Sequence, residues 1–229
     1  MKLSVVIPAY NEEKTIREII ERVKAVRLQE KVGKEIIVVN DGSKDGTAKV
    51  LESYKGDPSI RVFHQNNMGK TGALKTGIKN ATGDIILIQD ADLEYDPKYY
   101  PELIAPILQQ KYSVVYGSRF KGRIKNMKFI NRASNVFSNI VFTILFFTRI
   151  TDINTCFKAF RREIIQPMEI KSTHFTFETE VTAKVVKKGF KILEIPIDYT
   201  ARSSEEGKKI NWNTALQMFW GIIRFRFSD

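Results

Sequence analysis

Cysteine and histidine are scarce: Cys156 is the only thiol, and His64 and His174 are the only imidazoles, in 229 residues. One thiol excludes an internal disulfide framework, and one cysteine with two histidines cannot build a Cys/His zinc cluster. A reducing, cytosolic setting fits that usage. The N-terminal run Met1-Lys2-Leu3-Ser4-Val5-Val6-Ile7-Pro8 is too short for a secretory signal and is interrupted by Pro8. Asn80-Ala81-Thr82 is therefore expected to be a sequon by chance. No apolar run reaches the roughly 20 residues that a spanning helix needs. No nucleic-acid motif is recognisable either.

What the chain does have is positive charge, 37 basic against 26 acidic residues for a net +11, and this predicts an anionic partner. The length suits one large domain, or one domain with an appended subdomain, with ample core. Strand-like and helix-like periods alternate along the first half. Ser4–Ile7 reads as a strand, followed by a helix on Ile16, Ile19, Ile20 and Val23. Further strands are expected at 35–40, 61–64, 84–89 and 113–116, with helices at 48–54, 72–81 and 99–110. Strands separated by helices of this length imply an α/β, doubly wound, mostly parallel sheet with helices on both faces. In such a sheet every strand ends at one shared edge.

Asp90-Ala91-Asp92 lies at that edge, directly after the apolar run 84–89 and before the turn-rich Glu94-Tyr95-Asp96-Pro97. Burying two carboxylates in isolation costs several kcal/mol, so they are expected to hold a divalent cation, and oxygen-only ligands favour Mg²⁺ or Mn²⁺. A solvated turn is the bland alternative. The same edge gathers Tyr10, Asn11, Glu12, Asp41, Gly42, Lys70 and Arg119. Pro8-Ala9-Tyr10-Asn11-Glu12 supplies an aromatic face for a base, or merely caps a helix. Asp41 accepts from a base or ribose, or only turns the chain. Gly69-Lys70-Thr71 copies the end of a P-loop, but His64 stands where the earlier glycine belongs. Lys70 then meets a phosphate or simply opens its helix.

Taken in order, Val6-Ile7-Pro8-Ala9-Tyr10-Asn11-Glu12, Val39-Asn40-Asp41-Gly42-Ser43-Lys44-Asp45-Gly46-Thr47, Asn67-Met68-Gly69-Lys70, Asp90-Ala91-Asp92 and Gly117-Ser118-Arg119 match a family. The chain resembles a family 2, GT-A fold glycosyltransferase. Through Thr151-Asp152-Ile153-Asn154-Thr155-Cys156-Phe157-Lys158, Phe177-Glu178-Thr179-Glu180 and Arg202-Ser203-Ser204-Glu205-Glu206-Gly207-Lys208 it resembles the dolichyl-phosphate mannose or glucose synthases. The resemblance implies inverting, metal-dependent transfer of a hexose from UDP-glucose or GDP-mannose to a polyprenyl phosphate. It puts Mg²⁺ or Mn²⁺ on Asp92 and Glu94, with Asp90 beside them. The nucleotide sugar falls to Pro8, Tyr10, Glu12, Asp41, Lys70, Asp90, Ala91 and Asp92. Arg119, Arg132, Arg202 and Lys208 become the acceptor-phosphate residues, and the catalytic set becomes Asp90, Asp92, Arg119, Arg202 and Lys208. Guanidinium forks suit phosphate oxygens. Many synthases of this branch differ over Leu93-Glu94-Tyr95-Asp96-Pro97, so the donor stays open.

Two segments read as amphipathic. Across 131–148 a helical projection puts Val136, Phe137, Ile140, Val141, Ile144 and Leu145 on one side and Asn135, Ser138, Asn139 and Thr143 on the other. Lys125, Lys128, Arg132 and Arg149 flank it. The segment 213–227 repeats the pattern with Leu216, Phe219, Trp220 and Ile223, Arg224 and Arg226 near its end, and Trp212 just before. Both are expected to lie in an anionic membrane interface, making a cytoplasmic protein held peripherally on the cytoplasmic leaflet. A core helix is the alternative for the first. Phe177-Glu178-Thr179-Glu180 opens a helix, by dipole capping or near an acceptor. The charged loop 201–209 is either a lid or a solvated loop. One domain over 1–229 is expected, its first 120 residues binding donor and the rest meeting acceptor and membrane. A family 2 enzyme acting on a glycan or another soluble acceptor, and a non-enzymatic basic module binding membrane or nucleic acid, are the other readings.

Overall fold

A computed structural model describes residues 1–172, 176–202 and 212–228, with the side chains of 212–218 left aside. Apolar strands make its centre. β1 (Lys2–Ala9), β2 (Gly33–Asp41), β3 (Ile60–Gln65), β4 (Ile85–Ile88), β5 (Val114–Ser118), β7 (Lys158–Arg161) and β8 (Ile192–Pro196) form one sheet in the order β3-β2-β1-β4-β7-β5-β8. Leu3, Val5, Val6 and Ile7 are wholly buried, as are all four residues of β4, because helices cover both faces of a parallel sheet. α1 (Ile16–Ala25) buries Ile16, Ile19, Ile20 and Val23, the stripe expected from a 3.6-residue period. α2 (Thr47–Glu52), α3 (Gly69–Asn80) and α4 (Tyr100–Leu108) follow β2, β3 and β4. α3 lies so close on β1 and β2 that a Cβ on Gly77 would sit 2.3 Å from Val6 Cγ1.

The sheet departs from the doubly wound expectation at one place. β7 enters between β4 and β5 and runs antiparallel to both, pairing Ile86 with Phe160 and Val115 with Ala159. Parallel neighbours need a crossover, whereas β7 arrives directly from a loop at the carboxyl edge. Fully buried Lys158 masks this strand in the sequence. Beyond β5 come β6 (Ile124–Lys125), which pairs in parallel with β9 (Tyr199–Thr200), α5 (Phe129–Phe146), the short α6 (Arg162–Ile165), α7 (Phe177–Lys187) and α8 (Trp212–Phe227).

α5 is inverted for a core helix. Ser138 and Asn139 face inward: Asn139 donates to the Thr151 carbonyl and accepts from Ile153 N at 3.0 Å. Phe142 and Phe146 are buried, while Phe137, Ile140 and Ile144 on the other side are 52–64% exposed. α8 packs on α5 and α7, with Phe219 stacked on Phe137 at 5.6 Å, and leaves Trp220 64% exposed. Among the described residues no helix is long and apolar enough to cross a membrane.

Candidate active site

The carboxyl edges of β1, β2 and β4 carry loops that hold one another. After β1, Asn11 (φ 55°) donates its amide to Ser43 Oγ at 3.0 Å and accepts from Lys44 N at 2.8 Å. Glu12 N donates to Thr47 Oγ1 at 2.9 Å. At the end of β2, buried Asp41 accepts on Oδ1 from Gln65 Nε2 (2.7 Å) and Met68 N (2.9 Å). A Cβ on Gly42 (φ 69°) would come within 2.8 Å of Asn67 N, so only glycine allows that approach. Pro8 and Tyr10 stand half-buried at the mouth and Ala91 is buried.

The loop after β4 is braced from beneath. Gln89 donates to the carbonyls of Asp90 (2.9 Å) and Tyr95 (3.2 Å) and accepts from Tyr100 Oη at 2.7 Å. Leu93 takes the left-handed conformation, φ 62°, which is strained for a side chain of its kind. Asp92 Oδ1 accepts from Glu94 N at 3.1 Å across that residue. Asp90, Asp92 and Glu94 are thereby presented from one held loop.

Two cations meet these carboxylates. Lys70, at the start of α3, reaches Asp90 (2.9 Å to Oδ1, 3.1 Å to Oδ2) and Glu178 Oε1 at the start of α7 (2.9 Å). Burial works against the Lys70 ammonium, but Asp90 and Glu178 outweigh it and raise its pKa well above the ordinary value. Arg202, just past β9, lies 3.0 Å from Asp92 Oδ2 and 3.3 Å from Glu12 Oε2, and its amide donates to Glu94 Oε1 at 2.7 Å. Tyr199 Oη donates to Glu94 Oε2 at 2.6 Å. Among the described residues, Glu12, Asp90, Asp92, Glu94 and Glu178 thus outnumber Lys70 and Arg202. Burial, then Asp90 and Glu94, push Asp92 up to about 7, with Arg202 pulling the other way. Glu178 Oε2 is buried with no hydrogen-bond partner.

Several expected residues stand elsewhere. Arg119 is buried, its Nε and Nη2 each 2.7 Å from an oxygen of Asp152, its amide 2.9 Å from Oδ2 of the same carboxylate and its guanidinium 5.1 Å over the Tyr199 ring. It braces the wall through a forked pair rather than standing open to solvent. Arg132 is exposed on α5 and makes no ion pair with a described residue. Lys208 and most of the loop 201–209 lie outside the described residues. Asp90, Asp92 and Glu94 do not converge as a three-ligand cage: no group of three metal-ligating side chains is found among the described residues. Sequence reading missed Gln89, whose partners are near in the chain, and Tyr199, Asp152 and the Lys70–Glu178 pair, whose partners are distant.

Residues 4–168 match the family Glycosyl transferase family 2. An uncharacterized protein of Methanocaldococcus jannaschii is 33% identical over 219 residues, 91% of this chain and 86% of that one. The Pyrococcus furiosus dolichol-phosphate mannosyltransferase is 29% identical over 91% of this chain, and the Haloferax volcanii glycosyltransferase AglD 28% over 87%. The chain spans 59% and 33% of those two relatives. Glucosyl-3-phosphoglycerate synthase from Mycobacterium tuberculosis, crystallised with Mn²⁺, UDP and phosphoglyceric acid, superposes with a TM-score of 0.77 at 18% identity, over 99% of this chain and 78% of that one. That likeness supports the GT-A fold. Since the family match covers most of the sheet and every loop of the carboxylate crevice before Glu178, the chain belongs to glycosyl transferase family 2 and is a glycosyltransferase.

Proposed function

We propose that this crevice transfers glucose or mannose from UDP-glucose or GDP-mannose to a polyprenyl, dolichyl-type phosphate, with inversion at the anomeric carbon. The carrying observation is the surplus, among the described residues, of carboxylates over cations around Asp92. Such a site repels a nucleoside diphosphate unless a divalent cation comes with it. The donor set fits Mg²⁺ or Mn²⁺, which take oxygen ligands, often one or two carboxylates completed by phosphate oxygens and water. Asp92 would hold the cation, with Asp90 and Glu94 beside it. Bound there, the metal offsets charge building on the departing diphosphate.

The chain's own groups do the rest. Lys70 keeps Asp90 in place, and Gln89 fixes the loop that carries Asp92. Pro8, Tyr10, Glu12, Asp41 and Ala91 bound the nucleotide-sugar pocket, at the edge where α/β sheets take such ligands. Arg202, with Arg132 and Lys208, meets the acceptor phosphate, and Arg119 holds the wall behind it. A phosphate acceptor is already an anion at neutral pH, so no strong general base is required. On this reading residues 1–120 bind the donor and 121–229 meet acceptor and membrane within one domain. The outward apolar side of α5, together with Trp220 and Phe147, supports a peripheral seat on the cytoplasmic face of an anionic membrane. The name of the Pyrococcus relative supports the lipid acceptor.

A second reading, a soluble phosphorylated acceptor, is favoured by the fold likeness to glucosyl-3-phosphoglycerate synthase. The test is transfer of radiolabelled hexose from UDP-glucose and GDP-mannose, separately, to polyprenyl phosphate or phosphoglycerate, with Mg²⁺ or Mn²⁺ and with EDTA. Label in the organic phase that EDTA abolishes is the expected result. Label found only in phosphoglycerate would move the soluble acceptor to first place.

A further inference from the structure

The Arg202 guanidinium occupies a seat that suits it poorly. Nη2 is 3.0 Å from Asp92 Oδ2, Nη1 3.3 Å from Glu12 Oε2, and Nε 4.0 Å from Glu94 Oε1, so the single guanidinium is spread over three carboxylates. Nε is nonetheless buried with no hydrogen-bond partner. Arg119 is the contrast within the same molecule: its Nε and Nη2 lie 2.7 Å from the two oxygens of a single carboxylate, the geometry a permanent fork takes. The Arg202 backbone is anchored apart from its side chain, through its amide on Glu94 Oε1 at 2.7 Å. The side chain can therefore leave without unpinning the segment.

We propose that Arg202 is an exchangeable stand-in for the divalent cation: it neutralises Asp92 and Glu12 while the crevice is empty, and the cation displaces it. This rests on the cation reading of the preceding subsection. Nη2 sits 3.0 Å from Asp92 Oδ2, where the cation would have to stand, so metal and guanidinium cannot occupy that place together. The consequence is an order of events. Metal with its donor arrives first, and only then is the guanidinium released to meet the acceptor's anion. A donor-free crevice keeps Arg202 on its own carboxylates and holds the acceptor phosphate weakly.

The experiment titrates Mn²⁺ into the whole chain without nucleotide and follows loss of the free-ion paramagnetic resonance signal. Arg202→Gln keeps a polar side chain and removes the charge, and is expected to bind Mn²⁺ about tenfold or more tightly than the unaltered chain. Adding Asp92→Asn to that variant should abolish the gain. Thermal melts give a second readout: Tm of Arg202→Gln falls without metal and is recovered by Mn²⁺ through preferential binding to the folded form. If Arg202→Gln binds Mn²⁺ no more tightly while Asp92→Asn still abolishes binding, the exchange is wrong although the cation site stands. A Tm that falls and is not recovered by Mn²⁺ also overturns it, since Arg202 is then a structural clamp. Absence of Mn²⁺ binding in both proteins, with UDP or GDP present as well as without, sinks the cation reading and the inference with it.

Discussion

Acid groups at the two ends of the sheet, Glu35 buried and Asp92 half-buried, are treated in opposite ways. At the amino end, Glu35 on β2 accepts on Oε1 from Ser4 Oγ (2.5 Å), Thr82 N (2.8 Å), Thr82 Oγ1 (2.8 Å) and Gly83 N (3.2 Å), and its Oε2 lies 2.9 Å from Lys2 Nζ. Burial pushes that carboxyl up, but these donors outweigh it and bring it down to about 2. At the carboxyl end, Asp92 is held up near 7 by burial and by Asp90 and Glu94. The same fold that satisfies Glu35 completely gives Asp92, among the described residues, Arg202 alone as a cation within salt-bridge distance. On the function proposed for this crevice, the contrast has a purpose: at Glu35 the chain supplies every donor itself, and at Asp92 the last of the neutralising charge is left for the ligand to bring.

The largest effect should come from Asp92→Asn. Activity is expected to fall by a factor of about 10²–10³, the scale of losing one preorganised electrostatic contact at the reacting group. Thermal stability should hold or rise, because the change relieves like-charge repulsion. A variant that loses its fold along with its activity would put Asp92 in the same class as Glu35 and break the contrast.

Glu35→Gln is the mirror experiment. Specific activity of the folded protein should be unchanged, while stability falls by about 3 kcal/mol, the linkage value of a carboxyl held near 2 against an ordinary 4.5. Because the folded-state pKa lies below the unfolded one, this contribution is present in full above pH about 4.5. It is lost as pH falls from there towards about 2. Chemical denaturation at pH 7 and at pH 3 should therefore separate the two proteins at the first pH and bring them closer at the second. An equal gap at both would mean that Glu35 acts through packing rather than charge.

How far the sequence reaches follows the same divide between local and distant contacts. The alternation of strand and helix, the stripe on α1 and the position of Asp90-Ala91-Asp92 after β4 were legible, because each is a short-range pattern of side-chain period and turn residues. β7 was not, since a strand of four residues carrying buried Lys158 has no alternation to read. Lys158 survives there by donating to the Ile153 carbonyl at 2.9 Å and lying 3.7 Å from the Tyr116 ring centroid, while burial drives its ammonium down to about 7. Partner choice was equally hidden. Nothing local says that Lys70 will take Asp90 and Glu178 rather than a phosphate, that Arg119 will close on Asp152, or that Tyr199 and Arg202 will return across the chain to Glu94. These pairings are set by which sheet edge the chain comes back to, and periodicity does not encode that.

The smallest expected effect tests whether the divide between self-satisfied and ligand-directed surfaces extends outside the crevice. α5 turns Ser138 and Asn139 inward, where hydrogen bonds satisfy Asn139, and turns Phe137 and Ile144 outward at 56% and 64% exposure. An amphipathic helix packed only for stability does the reverse. Phe137→Ser with Ile144→Ser removes mostly exposed apolar surface and one ring stack, that on Phe219, so Tm should move by no more than a few degrees. If that surface enters a membrane interface, the same pair should weaken co-sedimentation with vesicles containing anionic lipid by about tenfold, since insertion scales with apolar area. Phe142→Ala, on the buried side of the same helix, should behave oppositely, lowering stability by about 3–5 kcal/mol. Should the double variant sediment as well as the unaltered chain, the outward face is no membrane seat, and the soluble-acceptor reading gains ground.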